Sequence, residues 1–167
     1  MTSWSAAAVG ATVAESLLAL TGRVPQTRGP ASRAHVENAA APGSATGGVR
    51  WLLRLEGLAF FAMAVAAYAQ LDAGWGFFAA LFLLPDLSFL AYLAGPRMGA
   101  AAYNAMHSWA GPLGLLATGM LAAPELTAVA LVWCAHIGFD RALGYGLKYA
   151  AGFAQTHLGR LGRADPW

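Results

Sequence analysis

Asp86, His107, His136 and Asp140 lie in stretches otherwise apolar enough to cross a membrane. An ionisable side chain at such depth costs ~2.5–3.5 kcal/mol even on the permissive insertion scale, so these groups should face an interior and mark a site. His136 and Asp140 are four residues apart and share one face of a helix. Two imidazoles and two carboxylates form a donor set for one divalent ion, and Zn, Mn and Fe all accept mixed nitrogen–oxygen ligands. Such an ion lowers the pKa of bound water and polarises an ester or phosphoryl oxygen. Tyr103, Asn104 and His107 share a face of a second helix, which makes Tyr103 or Asn104 the group that orients His107 from behind. Glu56 is a spare carboxylate able to take a proton from metal-bound water, so Glu56 and Asn104 are the expected catalytic residues. The sharpest reading is a metal-dependent hydrolase of a lipid or lipid-linked ester or phosphoester. Two others use the same residues: a proton or solute transporter, and a non-catalytic membrane protein whose polar layer only fixes helix register.

The elements that must position these groups are membrane helices. The chain has 167 residues, 58% hydrophobic and only 11% charged, with a mean hydropathy of +0.52, against roughly 25% charged residues in a soluble domain. Four apolar spans are expected at about 51–71, 75–94, 99–121 and 124–146, each near the ~20 residues that a bilayer requires. Short connections make sequential helices antiparallel neighbours, so the predicted fold is all-α, a four-helix transmembrane bundle running up-down-up-down. With four spans, all ten Lys and Arg residues fall on one side, and the two opposite loops hold only Asp72 and Glu125. The positive-inside rule makes that side, and both termini, cytoplasmic, in a bacterial cytoplasmic membrane. At 1.5 Å per residue, Asp86, His107, His136, Asp140 and Glu56 lie ~9–18 Å from the cytoplasmic helix ends, in one layer. Nucleic acid is not an expected partner, because the net charge is only +2 and no basic run with interleaved aromatics occurs. The bilayer is the expected partner, with self-association left open.

Residues 1–49 differ in kind. Pro25, Pro30 and Pro42 interrupt a stretch rich in Ala, Gly, Ser and Thr, which reads as a flexible extension. Ser5 to Leu20 has the spacing of a short helix, and Glu15 with no basic start argues against a signal peptide. Residues 50–162 form the membrane domain and 163–167 a tail. His157 is expected at the interface and His35 in solvent, and Cys134 is expected to pack. Arg141 and Lys148 have the chemistry to bind a lipid phosphate or an anionic substrate, but anchoring the helix by snorkelling is the favoured role.

The runs Leu53-Arg54-Leu55-Glu56-Gly57, Pro85-Asp86-Leu87-Ser88, Gly95-Pro96-Arg97, Tyr103-Asn104 and His107 resemble a family of small bacterial integral-membrane proteins, domain of unknown function 4260. His136 to Arg141, Gly144 to Tyr149 and Thr156 to Gly159 extend the resemblance to about residues 50–162. It implies a helical membrane unit and supplies no activity.

Overall fold

The computed structural model describes residues 43–162. The expected helix between Ser5 and Leu20, most of the N-terminal extension and the tail lie outside the described residues. The described elements are α1 (Gly47–Tyr68), α2 (Trp75–Phe82), a 3₁₀ helix (Leu84–Ala94), α3 (Pro96–His107), α4 (Ala110–Leu121) and α5 (Glu125–Leu143). A two-residue antiparallel hairpin follows, β1 (Gln155–Thr156) against β2 (Gly159–Arg160). Three helical stretches, Gly47–Tyr68, Trp75–Ala94 and Glu125–Leu143, are long and apolar enough to cross a membrane. Large apolar side chains such as Leu93, Met120 and Leu121 point outward, the surface expected of a multi-pass membrane protein.

The expected third span, 99–121, is not one helix. It breaks at Ser108, whose backbone is extended (φ −86°, ψ 148°) between α3 and α4. Pro112 supplies the reason: it has no N–H to donate to the Ser108 carbonyl, and its ring would collide with that carbonyl in a continuous helix. The break ends α3 on His107 and leaves its last carbonyls without helical partners. Trp133 Nε1 donates to the Met106 carbonyl at 2.6 Å, and Arg141 donates to the His107 carbonyl at 3.2 Å, a cation at the negative end of the helix dipole.

The second span changes geometry halfway. From Leu84 the chain is a 3₁₀ helix, in which residues three apart eclipse one another. Leu84, Leu87, Leu90 and Leu93 therefore form one exposed row, while Asp86, Phe89 and Tyr92 form another. That second row meets α3. Phe89 stacks on Tyr103 with ring centroids 5.0 Å apart, and Tyr92 lies so close to Gly99 that any β-carbon there would overlap the ring.

Helix α5 is the central element and packs against α1, α2 and α4. Its approach to α1 is possible only through glycine. A β-carbon on Gly57 would come 2.5 Å from Arg141 Cβ, and one on Gly138 would come 2.6 Å from the Phe61 nitrogen, the small-residue contact that lets membrane helices pack closely. Cys134 packs with Ala64 and Ala135 in the core beneath Phe61, Phe78 and Phe82. The fourth span ends at Leu143 rather than 146, because Gly144 adopts the left-handed conformation (φ 97°). The Tyr145 and Gly144 N–H groups donate back to Asp140 and Arg141, the bonds of a Schellman ending. The chain then folds back across α3. Asn104 donates to the Lys148 carbonyl at 2.9 Å and accepts from the Lys148 N–H at 2.7 Å, and Lys148 bridges to Thr156.

Candidate metal centre

Three elements bring the four expected donors together. Asp86 comes from the first turn of the 3₁₀ helix, His107 from the end of α3, and His136 with Asp140 from adjacent turns of α5. One ligand atom from each lies within 4.8 Å of all the others. The two Nε2 atoms are 3.1 Å apart. His107 Nε2 lies 3.6 Å from Asp86 Oδ1 and 3.5 Å from Asp140 Oδ2, and His136 Nε2 lies 3.6 Å and 3.9 Å from the same oxygens.

These separations are too long for hydrogen bonds between imidazole and carboxylate, which want about 2.7–3.2 Å. Metal–nitrogen and metal–oxygen bonds of about 2.0–2.2 Å set the edges of a tetrahedron at about 3.3–3.6 Å. The five distances straddle that range, so the set can hold a divalent ion.

Proton accounting points the same way. His107 Nδ1 lies 2.9 Å from the Tyr103 carbonyl, which can only accept, so the ring proton sits on Nδ1 and the Nε2 lone pair faces the cluster. The Tyr103 hydroxyl donates to Asp140 Oδ2 at 3.0 Å, and its ring stacks on His107 with centroids 3.7 Å apart. Tyr103 thus fixes two of the four donors, as outer groups around metal ligands do. With neutral imidazoles, a His136 Nε2–H can serve the His107 Nε2 at 3.1 Å and the Tyr103 hydroxyl serves Asp140, which leaves neither imidazole with a proton for a carboxylate at hydrogen-bond distance. Both histidines are buried, whereas the Asp86 side chain is 34% exposed and is the open side of the cluster.

The other two expected site residues stand elsewhere. Glu56 is exposed on α1 and lines a separate cavity of about 70 Å³ with Trp109, Arg141 and His157. Asn104 spends its amide on the Lys148 backbone. Tyr103, not Asn104, is the group behind His107, and α1 contributes no donor to the cluster.

Two groups have roles other than the favoured sequence reading. Lys148 does not snorkel. It is 3% exposed, its Nζ donates no hydrogen bond among the described residues, and it faces the rings of Phe153 (4.1 Å), Tyr103 (5.0 Å) and Tyr145 (5.9 Å). Burial pulls its pKa down to about 8, partly offset by Asp140. His157 is partly buried and bonded rather than solvated: its Nδ1 accepts from the Leu147 N–H at 2.8 Å, and Arg141 meets its Nε2. Burial, with Arg141 adding to it, lowers the His157 pKa to about 4.

A helical protein with membrane-length apolar helices around a buried two-histidine, two-aspartate cluster is the class that fold and site define. The model of one family, described as a domain of unknown function (DUF4260), matches residues 50–161, and the chain belongs to that family. No curated protein and no solved structure matches the chain.

Proposed function

We propose that the protein is a multi-pass membrane protein holding one divalent metal ion on Asp86, His107, His136 and Asp140, and that the centre hydrolyses an ester or phosphoester of a lipid or lipid-linked substrate. The observation that carries the metal reading is the convergence of four donor atoms at near-tetrahedral spacing with too few protons among them. A purely structural polar network needs donor–acceptor pairs, and the imidazole–carboxylate distances here exceed hydrogen-bond range. Among Zn, Mn and Fe, a four-donor tetrahedral arrangement suits Zn best.

Hydrolysis is supported by the asymmetry of the set. The two histidines are buried and the Asp140 side chain is 14% exposed and held by Tyr103, while Asp86 is 34% exposed on an irregular helix, so its carboxylate has the room to shift and admit a water or a substrate oxygen. A bound ion supplies Lewis-acid chemistry there. With α3 and α4 together taken as one crossing, the distribution of Lys and Arg supports a reading in which this half of the molecule faces the cytoplasm.

The test is elemental analysis of protein purified in detergent without chelator. About one equivalent of divalent metal is expected in the wild type, and less than about 0.2 in His136→Ala. A wild type with no transition metal after reconstitution would overturn the centre. If Asp86→Ala retains full turnover of a phosphoester substrate, the role given to that carboxylate is wrong.

A further inference from the structure

Lys148 is the buried group that the metal centre does not explain. Its ammonium carries three donors, yet none has an acceptor among the described residues. Taking a cation out of water is costly, and aromatic faces return only part of that cost. The fold nevertheless holds it in place. Both polar atoms of the Asn104 amide are committed to the Lys148 peptide groups, and the bridge to Thr156 fixes the residue from the other side. A side chain positioned this firmly, whose ammonium meets aromatic faces but no hydrogen-bond acceptor among the described residues, is built to meet an anion that arrives from outside.

Its location specifies the anion. The Tyr103 ring that faces Lys148 Nζ also carries the hydroxyl bonded to Asp140, so one tyrosine separates the ammonium from the donor cluster. Lys148 lies beyond the end of α5 at Leu143, where the chain folds back and its peptide groups bond to Asn104 on α3. A lone ammonium is a point charge of the kind that binds phosphate, without the fork that matches a planar carboxylate.

We propose that Lys148 is the phosphate-anchoring residue of the site, holding the phosphate of an amphiphilic substrate while the group to be cleaved lies at the His/Asp cluster. The proposal rests on the metal centre only for what is done to the substrate. The anchoring itself is testable on its own.

Calorimetric titration of the full-length protein in dodecyl maltoside, metal-loaded and chelated, with inorganic phosphate and separately with phosphatidic acid is the experiment. At least one should bind the wild type, and Lys148→Met should weaken that binding about 10–100-fold, the worth of one or two charge-assisted hydrogen bonds. Lys148→Arg, which keeps the charge, should stay within about tenfold. Binding of inorganic phosphate identifies free phosphate as a ligand, and binding of phosphatidic acid alone identifies a lipid head group. Acetate binding as tightly as phosphate would overturn the choice of anion.

The same variants separate anchoring from a structural cation–π role. Removing an unanswered buried charge should leave the thermal midpoint unchanged or raise it by about 2–4 °C. A Lys148→Met protein that unfolds, or that binds phosphate as the wild type does, refutes the inference. Metal stoichiometry read on the same samples keeps the two proposals apart. Lys148-dependent phosphate binding in a protein without metal leaves the anchor standing, and a metal-loaded protein with no such dependence removes only the anchor.

Discussion

Two imidazole clusters sit on either side of Arg141, and they are opposites. His107 and His136 face two carboxylates with hardly a proton to share. His157 accepts the Leu147 N–H on Nδ1 and has the Arg141 guanidinium beside its Nε2. The first cluster is short of positive charge, and the second has a permanent cation already in place. A histidine in an apolar segment is therefore not a metal ligand by residue type. What decides is whether its lone pair looks at acceptors or at donors.

The largest effect should come from exchanging the clusters' fates. His107→Ala should reduce metal affinity at least about 100-fold, since losing one of four ligands leaves an incomplete site. His157→Ala should leave the stoichiometry of bound metal unchanged. Equal metal loss in the two variants, measured by dialysis against a competing chelator, would erase the distinction between the clusters.

A smaller effect sharpens the comparison from the other side. Tyr103→Phe keeps the ring on His107 and the carbonyl that holds its Nδ1, and removes only the hydroxyl on Asp140. Loss of such an outer hydrogen bond typically costs about 10–100-fold in metal affinity. Competition titration with the wild type as reference measures it. An unchanged affinity would mean that Asp140 is held by its helix alone.

How much of this was legible in the chain depends on which force set each residue. The four donors could be read directly, because ionisable groups amid apolar ones are expensive and few reasons exist to keep them. Their convergence was harder to foresee, since His107 reaches the site only because α3 stops there. That stop was written in Pro112, and a count of apolar residues overlooked it. The 3₁₀ helix was likewise written in the threefold spacing of Leu84, Leu87, Leu90 and Leu93, and a bilayer-length count does not test for that period. Glu56 and Lys148 needed tertiary information. Depth along a helix axis placed Glu56 in the right layer and said nothing about its facing the cavity beside Arg141 instead of the cluster. Snorkelling was the favoured expectation for Lys148, because nothing local announces that Asn104, forty-four residues earlier, will seize its backbone.

The smallest effect concerns pH, and its sign follows from the partial burial of His157, with Arg141 adding to it. In the folded chain its pKa is about 4, against about 6.5 in an unfolded chain. Above pH 6.5 both states hold a neutral ring and the stability is fully present. As the pH falls, the unfolded chain takes up a proton first, so stability declines toward pH 4 and then levels off. The residue is partly exposed, which limits the loss to something on the order of 1–2 kcal/mol. Contributions from groups common to wild type and His157→Gln cancel to first order in their difference. Thermal midpoints of the two proteins, both chelated, should therefore diverge between pH 7 and pH 4, with the glutamine variant showing the shallower decline. Parallel curves would mean that burial beside Arg141 does not hold His157 neutral, and the two clusters would then have to be told apart by their carboxylates alone.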